Sequence, residues 1–436
     1  MGPALESALR GAIRDRRLRD GQRLPSTRAL ARDLGLARGT VVEAYAQLAA
    51  EGWLVARQGA GTEVAAGASL PAAGPAAAAE SRPAPAADLR LGRPDPSSFP
   101  RAAWVAALRR ALRDAPDAAL GPADPRGALI LREALAASLA RVRGVAAAPE
   151  AIVVTSGFAQ GLRLVAEALA ATGHTAIALE DPCLPDHRTI VRAGGLDVEA
   201  LPVDEEGARV AGVSAPALLL TPAHQCPLGA TLSPGRRSAA LAAGRLLVED
   251  DYDAEFRYDR RPVGALQGRA PDRVVYAGSA SKTLAPGLRL GWLVVPETLL
   301  EAVVEAKRRA DRGTPVLDQL ALAELICSGG LDRHVRRMRL RYRRRRDDIA
   351  ATVRSARPDA HLLGTAAGLH LVAAMPGEAA LAAAAAAAGV ALTGLEPFWH
   401  GGPRPVEGLV LGYGAPAQHA FPEALRRLRA ALCHHA

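Results

Sequence analysis

The chain has 436 residues, a formal net charge of +9 at pH 7 and a sequence pI near 10.0. That length allows about two or three domains with large cores, and the positive balance favours an anionic partner. Four scattered cysteines without a Cys-x-x-Cys pair argue against a zinc site or disulfide framework; with no N-terminal signal pattern and no apolar stretch of roughly 18 residues, the expectation is a cytoplasmic protein without membrane span or metal.

Residues 1–65 read as a separate module. Leu5, Leu9 and Ile13 recur every four residues, as one face of a first helix requires. Pro25-Ser26 offers an N-cap for a second helix, Thr27 to Leu34, which Gly35 stops. Val41, Tyr45 and Leu48 mark a third helix, closed by Gly52. Trp53-Leu54-Val55 and Thr62-Glu63-Val64 read as short strands joined by the turn Gln58-Gly59-Ala60-Gly61. Three helices and a hairpin make a winged helix-turn-helix, an α+β module. Arg28 starts the second helix, Arg38, Gly39 and Thr40 start the third, and Arg57, Gly59 and Gly61 belong to the wing. These are the candidate DNA contacts, because arginines and helix N-termini suit phosphates and guanine edges, and the third helix suits the major groove. A protein-binding winged helix or a solvated basic face is the competing reading.

In Leu24-Pro25-Ser26-Thr27-Arg28, Leu36-Ala37-Arg38-Gly39-Thr40-Val41 and Gly59-Ala60-Gly61-Thr62 the module resembles the GntR family of bacterial regulators. The resemblance implies double-stranded promoter DNA as partner. Ala37 departs from it: the usual serine or threonine would cap the third helix, and its absence costs about 1 kcal/mol.

Residues 66–88 are almost entirely alanine, proline, glycine and serine, and read as a flexible linker before a second domain at 89–436. There the pattern becomes α/β. The apolar runs Ile152-Val153-Val154, Ala176-Ile177-Ala178-Leu179, Leu218-Leu219-Leu220, Leu246-Leu247-Val248 and Val274-Val275-Tyr276 are each followed at once by polar residues or glycine. In open α/β sheets ligands bind at the carboxyl ends of the strands, so these clusters are expected to converge.

One cluster carries Lys282. The chain holds two lysines, Lys282 and Lys307, against 52 arginines. A guanidinium stays protonated, whereas a lysine of lowered pKa forms a Schiff base with an aldehyde. Ser279, Ser281 and Arg289 supply hydroxyls and a fixed fork of N–H groups, which a phosphate needs. Pyridoxal 5'-phosphate (PLP), an aldehyde with a phosphate tail, fits both halves. Ser156, Gly157 and Phe158 open a helix whose free N–H groups can hold the phosphate, Asp250 can keep a pyridine nitrogen protonated, and Tyr252 can donate to the ring oxygen. Asp251, beside Asp250, is the alternative acid. Lys307 reads as an ordinary surface lysine, and His370, on an apolar strand, as a satisfied core histidine.

These residues resemble a fold-type I aminotransferase, and the order of the two domains resembles the MocR subfamily of GntR regulators over nearly the full chain. Asp124-Pro125-Arg126-Gly127, Thr155-Ser156-Gly157, Glu249 to Phe256 and Ser281-Lys282-Thr283-Leu284 carry the match. The implied architecture is a winged helix-turn-helix joined by a linker to an α/β aminotransferase-like PLP-binding and dimerisation domain. The resemblance gives Lys282 the Schiff-base role, sets His224 beside Tyr252 near the ring oxygen, and implies a homodimer.

Three departures from the aminotransferase pattern bear on function: Pro122 in place of a tyrosine, Leu184 in place of a ring-stacking aromatic, and Val410 in place of the arginine that grips a substrate carboxylate. They leave PLP capture intact and argue against efficient transamination. The expected function is a PLP-responsive transcriptional regulator of vitamin B6 or amino-acid metabolism, with room for an amino-acid effector as second ligand. One rival is an active aminotransferase with a DNA-binding head, another a repressor whose second domain is purely structural. The run of arginines from Arg333 to Arg346 is expected to be helical, as a solvated face or dimer contact rather than a second DNA surface.

Overall fold

The computed structural model describes residues 1–57, 61–68, 85–122, 124–259, 263–401 and 404–433. The chain divides into two compact units, Met1–Ala84 and Pro85–Ala436. In the first, helices Gly2–Arg14, Thr27–Leu34 and Arg38–Ala50 precede a hairpin of Leu54–Arg57 against Gly61–Val64. Ile13, Val41, Tyr45, Leu48 and Leu54 close its core. Ser26 Oγ accepts from the Ala29 amide at 3.2 Å, capping the second helix, and Gly35 ends it in the left-handed conformation. Ala37 gives the third helix no side-chain cap.

Gln58, Gly59 and Ala60 of the expected wing turn, and residues 69–84 of the expected linker, lie outside the described residues. The linker's two ends depart from expectation. The Gly67 amide donates to Asp20 Oδ2 at 2.8 Å, and Ala87–Asp88 is a short strand parallel to Val390–Ala391. Ala87 and Leu89 are buried in the second unit, which therefore takes up the chain before residue 89.

The second unit is built on an eight-stranded sheet in the order Ile152–Thr155, Gly291–Val294, Val274–Ser279, Leu246–Asp250, Ala217–Leu220, Ala176–Asp181, Asp197–Asp204, Gly207–Ala208. The five strands from Val274–Ser279 to Asp197–Asp204 run parallel, and Gly291–Val294 is antiparallel to both neighbours. A parallel strand covered on both faces reads as a continuous apolar run, which is why these strands are visible in the sequence. Val248 and Val275 pack with Val165 and Val303 on one face, and Leu247 and Val274 with Leu266 and Ala240 on the other. A second, antiparallel sheet orders His361–Leu363, His370–Ala374, Gly408–Gly412 and Thr393–Gly394. Among the described residues no helix is long and apolar enough to cross a membrane.

The arginine run lies on the helix Gly330–Ala356, whose Tyr342, Ile349 and Val353 enter the core beside the second sheet. Its arginines are not all solvated: Arg345 is buried and donates to the carbonyls of Tyr413 and Gly414, at 3.2 and 2.9 Å. Lys307 is also not a surface residue. It is fully buried in the helix Glu297–Ala310, where its ammonium donates to Asp311 at 2.6 Å and to Thr314 Oγ1 at 3.0 Å.

A buried ion pair ties the helix Leu129–Arg143 to the sheet: Arg143 Nε donates to Asp251 Oδ2 at 2.7 Å, and the Tyr276 hydroxyl donates to the same oxygen at 2.7 Å. Asp251→Ala leaves the guanidinium buried without its counter-charge. Such a loss costs about 3–5 kcal/mol, to be read as a lower urea midpoint at unchanged m-value.

Candidate functional site

Strands Ile152–Thr155, Ala176–Asp181, Ala217–Leu220, Leu246–Asp250 and Val274–Ser279 end on one edge of the large sheet. A cavity of about 180 Å³ opens there, walled by Phe158, Leu184, Asp250, Tyr252, Ser279, Ser281, Lys282 and Arg289 together with Leu91, Gly92, Ala159, His187 and Cys226. The Lys282 ammonium donates to the Gly92 carbonyl at 2.6 Å. Burial pulls it below the usual lysine range, against the opposing pull of the acidic Asp253 and Asp250. An amine so placed loses its proton more readily, as a nucleophile must.

Asp250 ends its strand facing the cavity, and among the described residues its carboxyl makes no hydrogen bond or ion pair. Burial and the neighbouring Asp251 push its carboxyl well above the ordinary range. A cation placed in the cavity would reverse that shift, so the carboxyl is an acid waiting for a positive partner. Asp251, next along the pleat, is committed to Arg143 and Tyr276 on the other side of the strand.

Hydroxyl and guanidinium groups gather at the other end of the cavity. Ser279 Oγ lies 2.9 Å from Ser281 Oγ, and Arg289 Nη2 donates to the Ser156 carbonyl at 2.6 Å. Arg289 itself is left-handed, with φ 51°, a conformation costing roughly 1–2 kcal/mol that turns its guanidinium towards the start of the helix Phe158–Ala171. Gly157, with φ 87°, has no side chain in the way: a Cβ there would lie 3.0 Å from Arg289 Nη2. Among the described residues no side chain caps that helix. Its open N–H groups and the arginine make an anion-binding end.

The cavity thus unites Lys282, Asp250, Tyr252, Phe158, Ser279, Ser281 and Arg289. Ser156 and Gly157 lie beneath Arg289, and His224 is not part of the wall. It sits behind Tyr252, with Nδ1 3.0 Å from the tyrosine hydroxyl. Sequence reasoning missed His187, Cys226, Gly92 and Asp253. His187, three residues after Leu184, had a positional signal, and burial together with Lys282 lowers it to about 4, so the ring is neutral. Cys226 is a buried thiol that desolvation keeps protonated. His370 is only half satisfied: Nε2 donates to the Pro227 carbonyl at 2.9 Å, while Nδ1 is buried without a partner among the described residues. Val410 is fully buried, opposite Val372 and Thr393 on the second sheet, among Leu228, Leu395 and Phe398. Leu91 and Leu184 join this apolar cluster to the cavity wall, and no cation stands at position 410.

In the first unit Arg28, Arg38 and Gly39 are exposed and Thr40 is half-buried. Neither the Arg28 nor the Arg38 guanidinium makes a hydrogen bond or ion pair among the described residues. Arg57 is exposed but tied to Glu63 at 2.9 Å, Gly61 opens the second strand with φ 90°, and Gly59 lies outside the described residues.

Residues 4–64 match the family of bacterial regulatory proteins of the gntR type, and residues 89–400 match aminotransferase class I and II. The chain is 35% identical over 412 residues to the pyridoxine biosynthesis transcriptional regulator PdxR of Corynebacterium glutamicum, covering 91% of this chain and 88% of that one. It is 33% identical over 460 residues to the probable rhizopine catabolism regulatory protein MocR of Rhizobium meliloti, covering 98% and 92%. The chain belongs to the MocR-type GntR regulators.

The aminotransferase part of this MocR-type chain also has solved counterparts. The α-aminoadipate aminotransferase LysN of Thermus thermophilus, complexed with N-(5'-phosphopyridoxyl)-L-leucine, superposes with a TM-score of 0.70 at 26% identity, over 79% of this chain and 91% of that one. An archaeal alanine:glyoxylate aminotransferase gives 0.71 at 25% identity, over 79% and 89%. A MocR-type regulator with both parts is a DNA-binding transcriptional regulator on an aminotransferase fold.

Proposed function

We propose that this protein is a PLP-responsive transcriptional regulator whose second unit holds PLP in the cavity around Lys282. The observation that carries the reading is the convergence of Lys282, Asp250 and Arg289 on one cavity, in a chain that also bears a winged helix-turn-helix. Lys282 would take the aldehyde carbon, Asp250 the ring nitrogen and Tyr252 the ring oxygen. Ser279, Ser281, Arg289 and the open helix end after Gly157 would take the phosphate, with Ser156 and Phe158 at its rim. Bound there, PLP supplies an electron-withdrawing ring covalently tied to the protein. Asp250 gains the positive partner it lacks, and Leu184 and Phe158 keep water from the ring faces.

Amino-acid turnover is the weaker reading. With Val410 in an apolar cluster, an α-carboxylate loses the bidentate clamp that would hold and orient it. An amino acid acting as an effector needs no such precise orientation, and the site can take one as a second ligand. The C. glutamicum relative's name supports vitamin B6 metabolism as one regulated pathway, and the protein acts in the cytoplasm.

A homodimer completes the reading. Leu112, Leu120, Leu129, Ile130 and Leu317 are exposed, and Leu129 and Ile130 border a groove of about 680 Å³. Pairing two copies across such a face buries it and puts two winged helices on one operator, which a single small footprint needs for specificity. PLP can shift operator affinity only as far as its own affinity differs between DNA-competent and incompetent states. Titrating the operator with wild type at one salt concentration, with and without saturating PLP, should give midpoints several-fold apart. Superimposed curves would remove the sensor role.

A further inference from the structure

His224 stands between two oxygens. Its Nδ1 lies 3.0 Å from the Tyr252 hydroxyl and 3.0 Å from Asp253 Oδ2. Both His224 and Asp253 are almost fully buried, at 2% and 1% exposure. One ring nitrogen therefore serves two groups, and its protonation decides where each hydrogen points. A carboxylate only accepts, so the contact with Asp253 needs hydrogen on Nδ1. A ring nitrogen carrying hydrogen has no lone pair to accept with. The Tyr252 oxygen can then at most share that N–H, and its own hydrogen is free for another acceptor. In the opposite tautomer, Tyr252 would donate to Nδ1 while Asp253 faced a lone pair at 3.0 Å in a buried site, two acceptors in contact. Tyr252 lines the cavity and makes no other hydrogen bond among the described residues.

We propose that Asp253 and His224 are positioning residues that fix the Tyr252 hydroxyl hydrogen towards the cavity, giving the site a permanent donor to the oxygen of its ligand. For PLP that acceptor is the ring oxygen, and to this extent the inference rests on the cofactor reading. The surroundings leave the pair little slack. Gly368, with φ 70°, presses on it: a Cβ there would lie 2.3 Å from Asp253 Oδ2 and 2.5 Å from His224 Nδ1. The His370 ring packs 4.9 Å from the His224 ring. Since Nε2 of His370 donates to a carbonyl and burial holds that ring neutral, it offers His224 no competing charge.

The test uses the full chain loaded with PLP and follows cofactor absorbance against pH. A donor to the ring oxygen withdraws charge that would otherwise hold a proton on the nitrogen joining cofactor and Lys282, so losing the donor raises the midpoint. Tyr252→Phe should raise it by about one pH unit, the worth of one hydrogen bond to a charged oxygen. In Asp253→Leu, His224 is free to change tautomer and accept from Tyr252, which withdraws the donor. Adding His224→Phe removes that acceptor and should lower the midpoint again by about one unit. Both variants lack the Asp253 charge, so the difference between them reports the hydroxyl; the other titratable groups lining the cavity, Asp250, Cys226, His187 and Arg289, and Arg93, whose charge acts on Lys282, are untouched. The difference should vanish in a Tyr252→Phe background. Equal midpoints for Asp253→Leu and Asp253→Leu/His224→Phe would overturn the proposal. Nitrogen-15 NMR of histidine-labelled wild type gives a second measure that needs no variant: hydrogen on Nδ1 of His224 supports the relay, and hydrogen on Nε2 alone ends it. If wild type shows no PLP band, the cofactor reading fails and the NMR result still judges the relay.

Discussion

Lys282→Ala should abolish covalent capture of PLP. After borohydride reduction, a peptide map of wild type should carry the cofactor on the peptide containing Lys282, and the variant should carry none. Lys282→Arg should fail equally although it keeps the charge, because a guanidinium does not give up its proton to attack a carbonyl. Lys307 cannot substitute. It is the other lysine of the chain, but its ammonium is fully buried and bonded to Asp311 and Thr314 in a helix away from the cavity wall. An adduct on Lys307 would overturn the assignment. Because Arg289, Ser279 and Ser281 remain, the Lys282→Ala protein should still bind PLP weakly and reversibly, and should unfold at the wild-type urea midpoint. Its operator titration should lose most of the PLP dependence seen for wild type. A full response in Lys282→Ala would mean that the signal passes through the phosphate end alone.

The large sheet was legible because its strands are buried on both faces, which writes them as uninterrupted Val, Ile and Leu followed by an abrupt polar turn. The cavity's charged ends were legible for the same reason: they follow those runs at once. The choice between Asp250 and Asp251 was not, since it depends on which way the pleat faces when the strand enters the sheet, and Arg143 lies far away in the sequence. The partners of His224 were hidden likewise. Asp253 is close in space through a loop, and His370 comes from the second sheet. The strand at Ala87–Asp88 gave no side-chain signal at all, because backbone pairing with Val390–Ala391 makes it, and alanine serves there by being small enough to bury. Lys307 looked solvated because burial of a lysine requires Asp311 and Thr314 to turn back on it, which composition does not reveal.

Arg38→Ala should weaken operator binding strongly while leaving the fold intact. Arg38 is the first residue of the helix Arg38–Ala50 and is exposed, and its guanidinium makes no hydrogen bond or ion pair among the described residues, so its removal costs the free protein little. A base contact of this type is worth about 1–3 kcal/mol, from several-fold to roughly a hundredfold in affinity for each winged helix. Arg57 is a built-in comparison. Its guanidinium is already held by Glu63, and DNA must compete for it, so Arg57→Ala should cost less. The measurement is fluorescence anisotropy on operator and on scrambled duplex, each across a series of salt concentrations. If Arg38 reads a base, the variant loses affinity for the operator more than for the scrambled duplex. If it only neutralises a phosphate, both affinities fall together and the salt slope drops by about one. An operator affinity unchanged by Arg38→Ala would take the start of the third helix out of the groove.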